Sequence, residues 1–486
     1  MDRIDDTPSV YVFIFANPLS GDQKGRDLTD LHVQNFRLKD IPEVQMQIFN
    51  VLDDEDREKG FAALKAAEKI IEEEGPIMPE SNEIGEAAKK RQIHVWSAGG
   101  DGTVMSVFEE MVKHQIDMNK VFFSCIPFGT GNDFSQVLGW GRTIPNKSVL
   151  GERLSELARI SKERLNGEAA RLDIWELELS CYETGYIRKA GKSHRNEVDE
   201  RVIVRKFSNY LSIGVQGWVG SGFENQRTGT RKWNALIYVV ESLKWMLFRG
   251  FPPVTRVLDG ITVDGKKVLY CPAPVKSGGL FGKAQKGKIA GDNKVNGEKI
   301  HANGRAHNQE PGVMEGPAET EVPTLQKHPI DLVIQNIPHI WGREIDMWGQ
   351  ATSGEEVVNP RSGPTDPANW EPQRANDGRL EVFCISNVIS YLKKLANIRD
   401  HVSRIGQFQE DFQLDFRRVE QESRGFRRPF WKEKDPSDPS TICIMCDGEF
   451  YECKGPKTLR FRRYAQITTL GKNPESSRLV TDEQAR

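Results

Sequence analysis

Ser97-Ala98-Gly99-Gly100-Asp101-Gly102-Thr103 sets one carboxylate among three glycines. It follows the apolar run Ile93–Trp96 and precedes Val104, Val107, Met111 and Val112, which recur at helical spacing. A strand emptying through glycines into a helix lets the backbone approach a ligand closely, and the helix start offers unpaired N–H groups with a partial positive charge. That is chemistry for a phosphate. The same residues also make an ordinary tight turn with Asp101 as helix cap, and the heptapeptide alone leaves both readings open.

The elements around it tip that balance. Val10–Ala16 is apolar throughout, as in a strand buried on both faces, and ends in Asn17-Pro18-Leu19-Ser20-Gly21. Val121–Ile126 is a similar run and ends in Pro127-Phe128-Gly129-Thr130-Gly131-Asn132-Asp133-Phe134. Val44, Met46 and Ile48 alternate as another strand, Phe61, Leu64, Ala67 and Ile71 predict a helix, and a polar helix is expected over 83–91. Three strands therefore end in polar glycine loops. In a doubly wound parallel sheet such loops converge on one crevice beyond the carboxyl ends of the strands, whereas unrelated turns need no shared chemistry. Neither a P-loop nor the protein-kinase signatures occur: Gly282 to Lys288 comes close but continues with Ile289.

The chain has 486 residues, long enough for two or three domains, with 37% hydrophobic and 28% charged residues. A net charge of -3 argues against nucleic acid as a partner. Seven scattered cysteines read as reduced thiols, and Cys443-Ile444-Met445-Cys446 as a strand, because no second Cys/His pair completes a zinc site. The N-terminus is charged, and the apolar stretch 235–248 is interrupted by Glu241, Ser242 and Lys244. Neither a signal peptide nor a membrane span is expected, and the location is read as cytoplasmic.

Gly99-Gly100-Asp101-Gly102-Thr103, then the Pro127–Phe134 motif, then Val137-Leu138-Gly139-Trp140-Gly141, resemble the catalytic domain of the eukaryotic-type diacylglycerol kinases. Gly129-Thr130-Gly131-Asn132-Asp133 favours this branch over the sphingosine and ceramide kinases. Arg171–Trp175, Asn209–Val215, Gln335–Pro338, Asp377–Val382 and Cys446–Glu449 resemble segments of the family's accessory domain. The resemblance implies a Rossmann-like α/β nucleotide-binding domain over 8–150 and a β-sandwich accessory domain over 165–455. The C-terminal segment 456–486 is then expected to return toward the first domain, with the nucleotide and lipid sites at the cleft between the domains.

The same resemblance implies transfer of the γ-phosphoryl group of ATP to the primary hydroxyl of diacylglycerol, with Mg²⁺. Such chemistry needs mainly positioning and charge neutralisation. Asn17, Ser20, Gly99, Gly100, Gly102, Thr103, Gly129, Thr130 and Asn132 are expected to line the nucleotide crevice. Asp101 is the expected catalytic carboxylate, Glu449 the general base toward the lipid hydroxyl, and Asp133 and Asp377 members of an aspartate network around the metal. Turn chemistry competes for Asp377 and Glu449. A kinase for a sphingoid base, ceramide or monoacylglycerol, and a catalytically silent lipid-binding scaffold, are the alternatives.

Three stretches, 276–328, 351–376 and 392–438, read as polar insertions. The lipid substrate implies reversible peripheral contact with a membrane. Arg427, Arg428 and Trp431 lie in a cationic and aromatic loop suited to anionic lipid, whereas the similar mixture Lys244–Arg249 reads as part of an amphipathic core helix.

Overall fold

A computed structural model of the chain describes residues 8–21, 23–31, 33–74, 91–129, 131–144, 148–191, 198–228, 231–274, 322–340, 343–344, 357–395, 402–409, 411–419, 439–472 and 479. In chain order the first half comprises β1 (Val10–Ala16), α1 (Gly25–Thr29), β2 (Asn35–Leu38), β3 (Ile41–Asn50), α2 (Asp54–Glu74), β4 (Gln92–Gly99), α3 (Asp101–Lys113), β5 (Val121–Pro127), α4 (Asp133–Val137) and α5 (Ser155–Leu165). Strands β3, β1, β4 and β5 lie side by side and parallel. The continuous apolar sequences of β1, β4 and β5 are explained by burial on both faces, whereas β3 alternates. Tyr11, Phe13 and Phe15 of β1 face a core shared with Phe61 of α2 and Val107, Phe108 and Met111 of α3. Val12, Ile14 and Ala16 point the other way, onto Leu157 and Ile160 of α5.

The second half comprises β6 (Glu168–Lys189), β7 (Val202–Phe207), β8 (Tyr210–Gly214), α6 (Val215–Glu224), α7 (Arg231–Lys244), β9 (Leu258–Val263), β10 (Lys266–Tyr270), β11 (Thr324–Leu325), β12 (Asp331–Gln335), β13 (His339–Ile340), β14 (Arg343–Glu344), β15 (Val358–Asn359), β16 (Arg379–Ile385), α8 (Val388–Leu395), β17 (Ser403–Gln409), β18 (Phe412–Phe416), β19 (Thr441–Cys446) and β20 (Glu449–Gly471). The fold is thus mixed α/β and rich in sheet. Inward-facing residues of these strands, among them Trp175, Phe207, Ile213, Leu332, Val382, Phe408 and Phe461, make one large apolar core. On the opposite face of β8, β12, β16 and β19, Val333, Phe383 and Met445 are covered by Trp218, Trp245 and Tyr391 from the helical layer.

Strand β20 ties the halves together. One edge pairs antiparallel with β6 along nearly its whole length. The other edge meets β19 at residues 449–454, β18 at 458–461 and, in parallel, β5 at Thr468–Thr469. The expected boundary between 455 and 456 therefore falls inside a single strand.

Several expectations need correction. Within 392–438, β17 pairs with β16 and β18 pairs with both β9 and β20, so this stretch supplies sheet rather than only solvated insertion. Polar residues misled there because they are buried and satisfied: Gln407 donates to Glu381 Oε1 at 3.2 Å and to the Glu371 carbonyl at 2.7 Å. Residues 357–376 are likewise packed, with Val357, Thr365, Gln373 and Ala375 buried. Within 276–328, β11 joins β10 and β15. The remainder of these stretches, the polar helix expected over 83–90 and the loop carrying Arg427, Arg428 and Trp431 lie outside the described residues.

The helix expected to be core is so only on one side. Trp245 is buried against Trp218 and Phe251, yet Leu247 and Phe248 are 69% and 74% exposed. The cysteines of the Cys443–Cys446 strand and Cys453 are buried free thiols, and burial pushes all three well above the ordinary thiol range.

Candidate active site

The three glycine loops meet at the carboxyl ends of β1, β4 and β5. Asn17 donates its side-chain N–H to Thr103 Oγ1 at 3.2 Å, and its Oδ1 accepts from the Leu19 amide at 3.0 Å. Ser20 is nearly buried in the same loop, and its N–H bonds the Asn17 carbonyl. Gly100 and Gly129 stand backbone to backbone: a Cβ on Gly129 would lie 2.6 Å from the Gly100 Cα. A Cβ on Gly99 would lie 2.4 Å from Thr103 Oγ1. At these positions the glycines are required by close approach, since any side chain would force the loops apart. Asn132 has φ 52° and donates from Nδ2 to the Gly129 and Arg142 carbonyls at 2.8 and 2.6 Å. Its Oδ1 is buried with no hydrogen-bond partner among the described residues. Thr130 lies outside them.

Asp101 opens α3 but turns its carboxylate toward the start of α4. Oδ2 accepts from the Asp133 N–H and Oδ1 from the Phe134 N–H, each at 3.0 Å, and the Asn209 side chain also donates to it. Burial raises its pKa, against the pull of these donors. Asp133 is buried beside it: a Cβ on Gly131 would face Asp101 Oδ2 at 3.3 Å and Asp133 Oδ2 at 3.5 Å. Gly131 thus leaves open the space between two carboxylates.

The opposite wall is the turn between β19 and β20. Asp447 and Gly448 take φ of 42° and 84°, which a two-residue hairpin turn demands. A Cβ on Gly102 would approach the Asp447 carbonyl at 3.7 Å and Glu449 Cγ at 3.8 Å, so this turn rests on the Asp101-Gly102 step. The buried Asp447 carboxylate accepts from the backbone N–H groups of Ser208, Asn209 and Tyr210 at 2.7, 3.1 and 3.0 Å. Burial pushes its pKa up to about 7, and the neighbouring Asp101 charge adds to the rise. Glu449 is bound by Lys189 Nζ at 2.5 Å and the Tyr451 hydroxyl at 2.6 Å. Burial opposes its ionisation, but Lys189 and the Tyr451 bond outweigh it, so its pKa lies below the ordinary carboxylate value. A small cleft beside it is lined by Gly102, Met105, Glu109, Arg205, Asp447 and Glu449.

Asp377 has different neighbours. Its Oδ1 accepts from the Arg379 N–H at 3.0 Å, Oδ2 is buried with no partner among the described residues, and burial, with the nearby Asp173 charge adding, pushes it up to about 6. Asp173 in turn holds the Gly378 N–H, Arg463 and Gln466. Asp447, which was not among the expected site residues, is an accessory carboxylate close enough to Asp101 to feel its charge. An Asp-Gly pair before a strand looks like an ordinary hairpin, and nothing local in sequence marks its partners some 240 positions upstream.

The site accommodates both groups that its chemistry calls for. The unpartnered Asn132 Oδ1 at the Gly100–Gly129 junction suits a ribose hydroxyl or an amino group, and the Asp101–Asp133 pair suits a hard divalent cation that keeps several waters. Glycine-walled loops at strand ends, facing clustered carboxylates across a cleft, are an arrangement suited to a phosphate group. The chain belongs to the diacylglycerol kinase family: residues 11–161 match the diacylglycerol kinase catalytic domain and residues 206–426 the diacylglycerol kinase accessory domain. Diacylglycerol kinase 3 of Arabidopsis thaliana is 28% identical over 46% of the chain and 45% of its own length. Probable diacylglycerol kinase 3 of Caenorhabditis elegans is 23% identical over 41% of the chain and 26% of its own length. Diacylglycerol kinase theta of Homo sapiens is 26% identical over 45% of the chain and 19% of its own length. The chain thus spans less than half the length of each of these relatives.

Proposed function

We propose that this protein transfers the γ-phosphoryl group of ATP to the primary hydroxyl of diacylglycerol, giving phosphatidic acid and ADP. The contact that carries the reading is the seating of the Asp447–Glu449 turn on the Asp101-Gly102 step, which sets an acceptor-side carboxylate against the glycine loops. In this reading the α/β half is a Rossmann-like nucleotide domain and the strands of the second half form a β-sandwich.

Asn17, Ser20, Gly99, Gly100, Gly102, Thr103, Gly129 and Asn132 line the nucleotide crevice. Asp101 and Asp133 would hold Mg²⁺, which when bound would neutralise charge on the phosphate oxygens. Glu449, ionised at neutral pH, accepts the proton of the lipid hydroxyl as its oxygen bonds to phosphorus and the bond from phosphorus to the ADP oxygen breaks. Lys189 and Tyr451 hold Glu449 in position. Asp447 fixes the turn by filling the N–H cradle of Ser208–Tyr210 and brings Asn209 to Asp101.

The test is a labelled-ATP assay across a lipid panel with Asp101→Asn alongside. Label is expected in phosphatidic acid, and the variant is expected to lose at least about a hundredfold in rate while its melting temperature stays within a few degrees. Label on a sphingoid base, ceramide or monoacylglycerol instead would reassign the acceptor. No transfer by folded wild-type protein would leave a lipid-binding scaffold.

A further inference from the structure

Helix α7 turns a stripe of large apolar side chains to solvent. Trp233, Leu236, Val240, Leu243 and Leu247 follow one another at intervals of three and four, which places them along one helix face. Trp233 is 61% exposed, and Phe248, at the end of the π-helical turn Trp245–Arg249, extends the stripe. The opposite face packs against the protein. There Glu241 is buried and takes a hydrogen bond from Gln226 at 2.6 Å, Trp245 packs on Trp218, and Tyr238 lies beside Tyr391 of α8. Through that tyrosine pair α8 sits next to α7, and Ile389 and Leu392 of α8 are also exposed.

Charge on this surface is one-sided although the chain as a whole is slightly acidic. Glu241 is the only carboxylate in residues 231–249, and it is buried; residues 388–395 contain none. Arg249 lies over the Trp245 ring and forms no ion pair among the described residues, Lys393 lies next to the exposed Leu392 of α8, and Lys244 is ion-paired with Glu241 at 3.1 Å. Exposed aliphatic and aromatic side chains rimmed by cations and free of exposed carboxylates suit the headgroup zone of an anionic bilayer better than an acidic or neutral protein surface. The surface is also one helix away from the site. Inside α7, α6 packs on β19 and β20, and Glu224 at its end lies close enough to Lys189 and Glu449 to feel their charges.

We propose that the outer faces of α7 and α8 form the docking surface by which this protein settles on an anionic lipid bilayer, with Leu247 and Phe248 entering the interface and Arg249 and Lys393 meeting phosphate headgroups. The choice of a bilayer as occupant rests on the lipid-kinase reading. Docked in this way, the molecule holds the Glu449 side of its cleft near the membrane that carries its acceptor.

The test is flotation without ATP on vesicles of phosphatidylcholine alone and of equal parts phosphatidylcholine and phosphatidylserine. Wild-type protein is compared with L247S/F248S, with W233S, and with L52S as an exposed apolar control in the first half. Wild type and L52S are expected to float with the phosphatidylserine vesicles, and L247S/F248S to bind them about tenfold more weakly with an unchanged melting curve. Turnover of a soluble short-chain diacylglycerol is expected to be the same in wild type and L247S/F248S. Equal flotation of all variants, no flotation of wild type, or a wild-type dimer that L247S/F248S converts to monomer would overturn the proposal. Flotation as described with no phosphorylation of any lipid would keep the surface and remove the kinase reading.

Discussion

His339 is uncharged in the folded protein at neutral pH. Burial drives its imidazole from the usual 6.5 down to about 4. The unfolded chain binds a proton below about 6.5 that the folded chain refuses until about 4, so this histidine's contribution is intact above 6.5 and is lost as pH falls through that window. Wild type is therefore expected to lose about 3 kcal/mol more than His339→Gln between neutral pH and pH 4 in urea titrations. Parallel pH curves for the two proteins would contradict the assignment. At this scale the sequence was most legible where function demands an absent side chain: Gly99, Gly100 and Gly129 announce close approach, and close approach is what the loops show. Asp447 was not legible, because its meaning lies in three N–H groups that only the folded chain brings to it.

Packing of α6 on β20 depends on one missing methyl group. A Cβ on Gly220 would lie 1.7 Å from the Phe450 ring. Alanine is otherwise the better helix former by about 1 kcal/mol, so Gly220→Ala would stabilise an isolated α6. In the protein it is expected to destabilise by about 1 to 3 kcal/mol, and Phe450→Ala in the same chain is expected to recover part of that loss. Chemical denaturation of the four proteins of the cycle reads the coupling, and additive effects would show that the ring is not the obstacle. Elements with continuous apolar sequence, β1, β4 and β5, were evident from composition alone. Strands β17 and β18 were not, since Ser403 and Gln407 are buried polar residues and charged runs flank both strands. Helix α7 was misread because periodicity reveals a stripe but not which side of it meets the protein.

For the whole molecule, β6 and β20 make independence of the two halves impossible. The same pair of strands borders β7, β18 and β19 at one end and β5 at the other, so neither core can melt without breaking a ladder that belongs to both. Scanning calorimetry is expected to give one transition whose calorimetric and van't Hoff enthalpies agree, and ATP with Mg²⁺ is expected to raise its midpoint as a unit. Two resolved transitions would refute this. The order of motifs in the sequence suggests two successive domains, because a strand of 23 residues that takes three successive partners along one edge leaves no mark on local composition.

The pairing of β6 with β20 slips register between Lys454 and Pro456, between Pro456 and Thr458, and between Arg463 and Ala465. A ribbon anchored at both ends and interrupted at intervals behaves as a torsion bar: it resists swinging but yields to twist, and each slip is a place where twist concentrates. The Asp447–Glu449 turn is fixed to one end of that bar and the parallel sheet to the other. A twist of that ribbon would carry the turn with it, so the spacing between Glu449 and the glycine loops is tied to the wind of two strands.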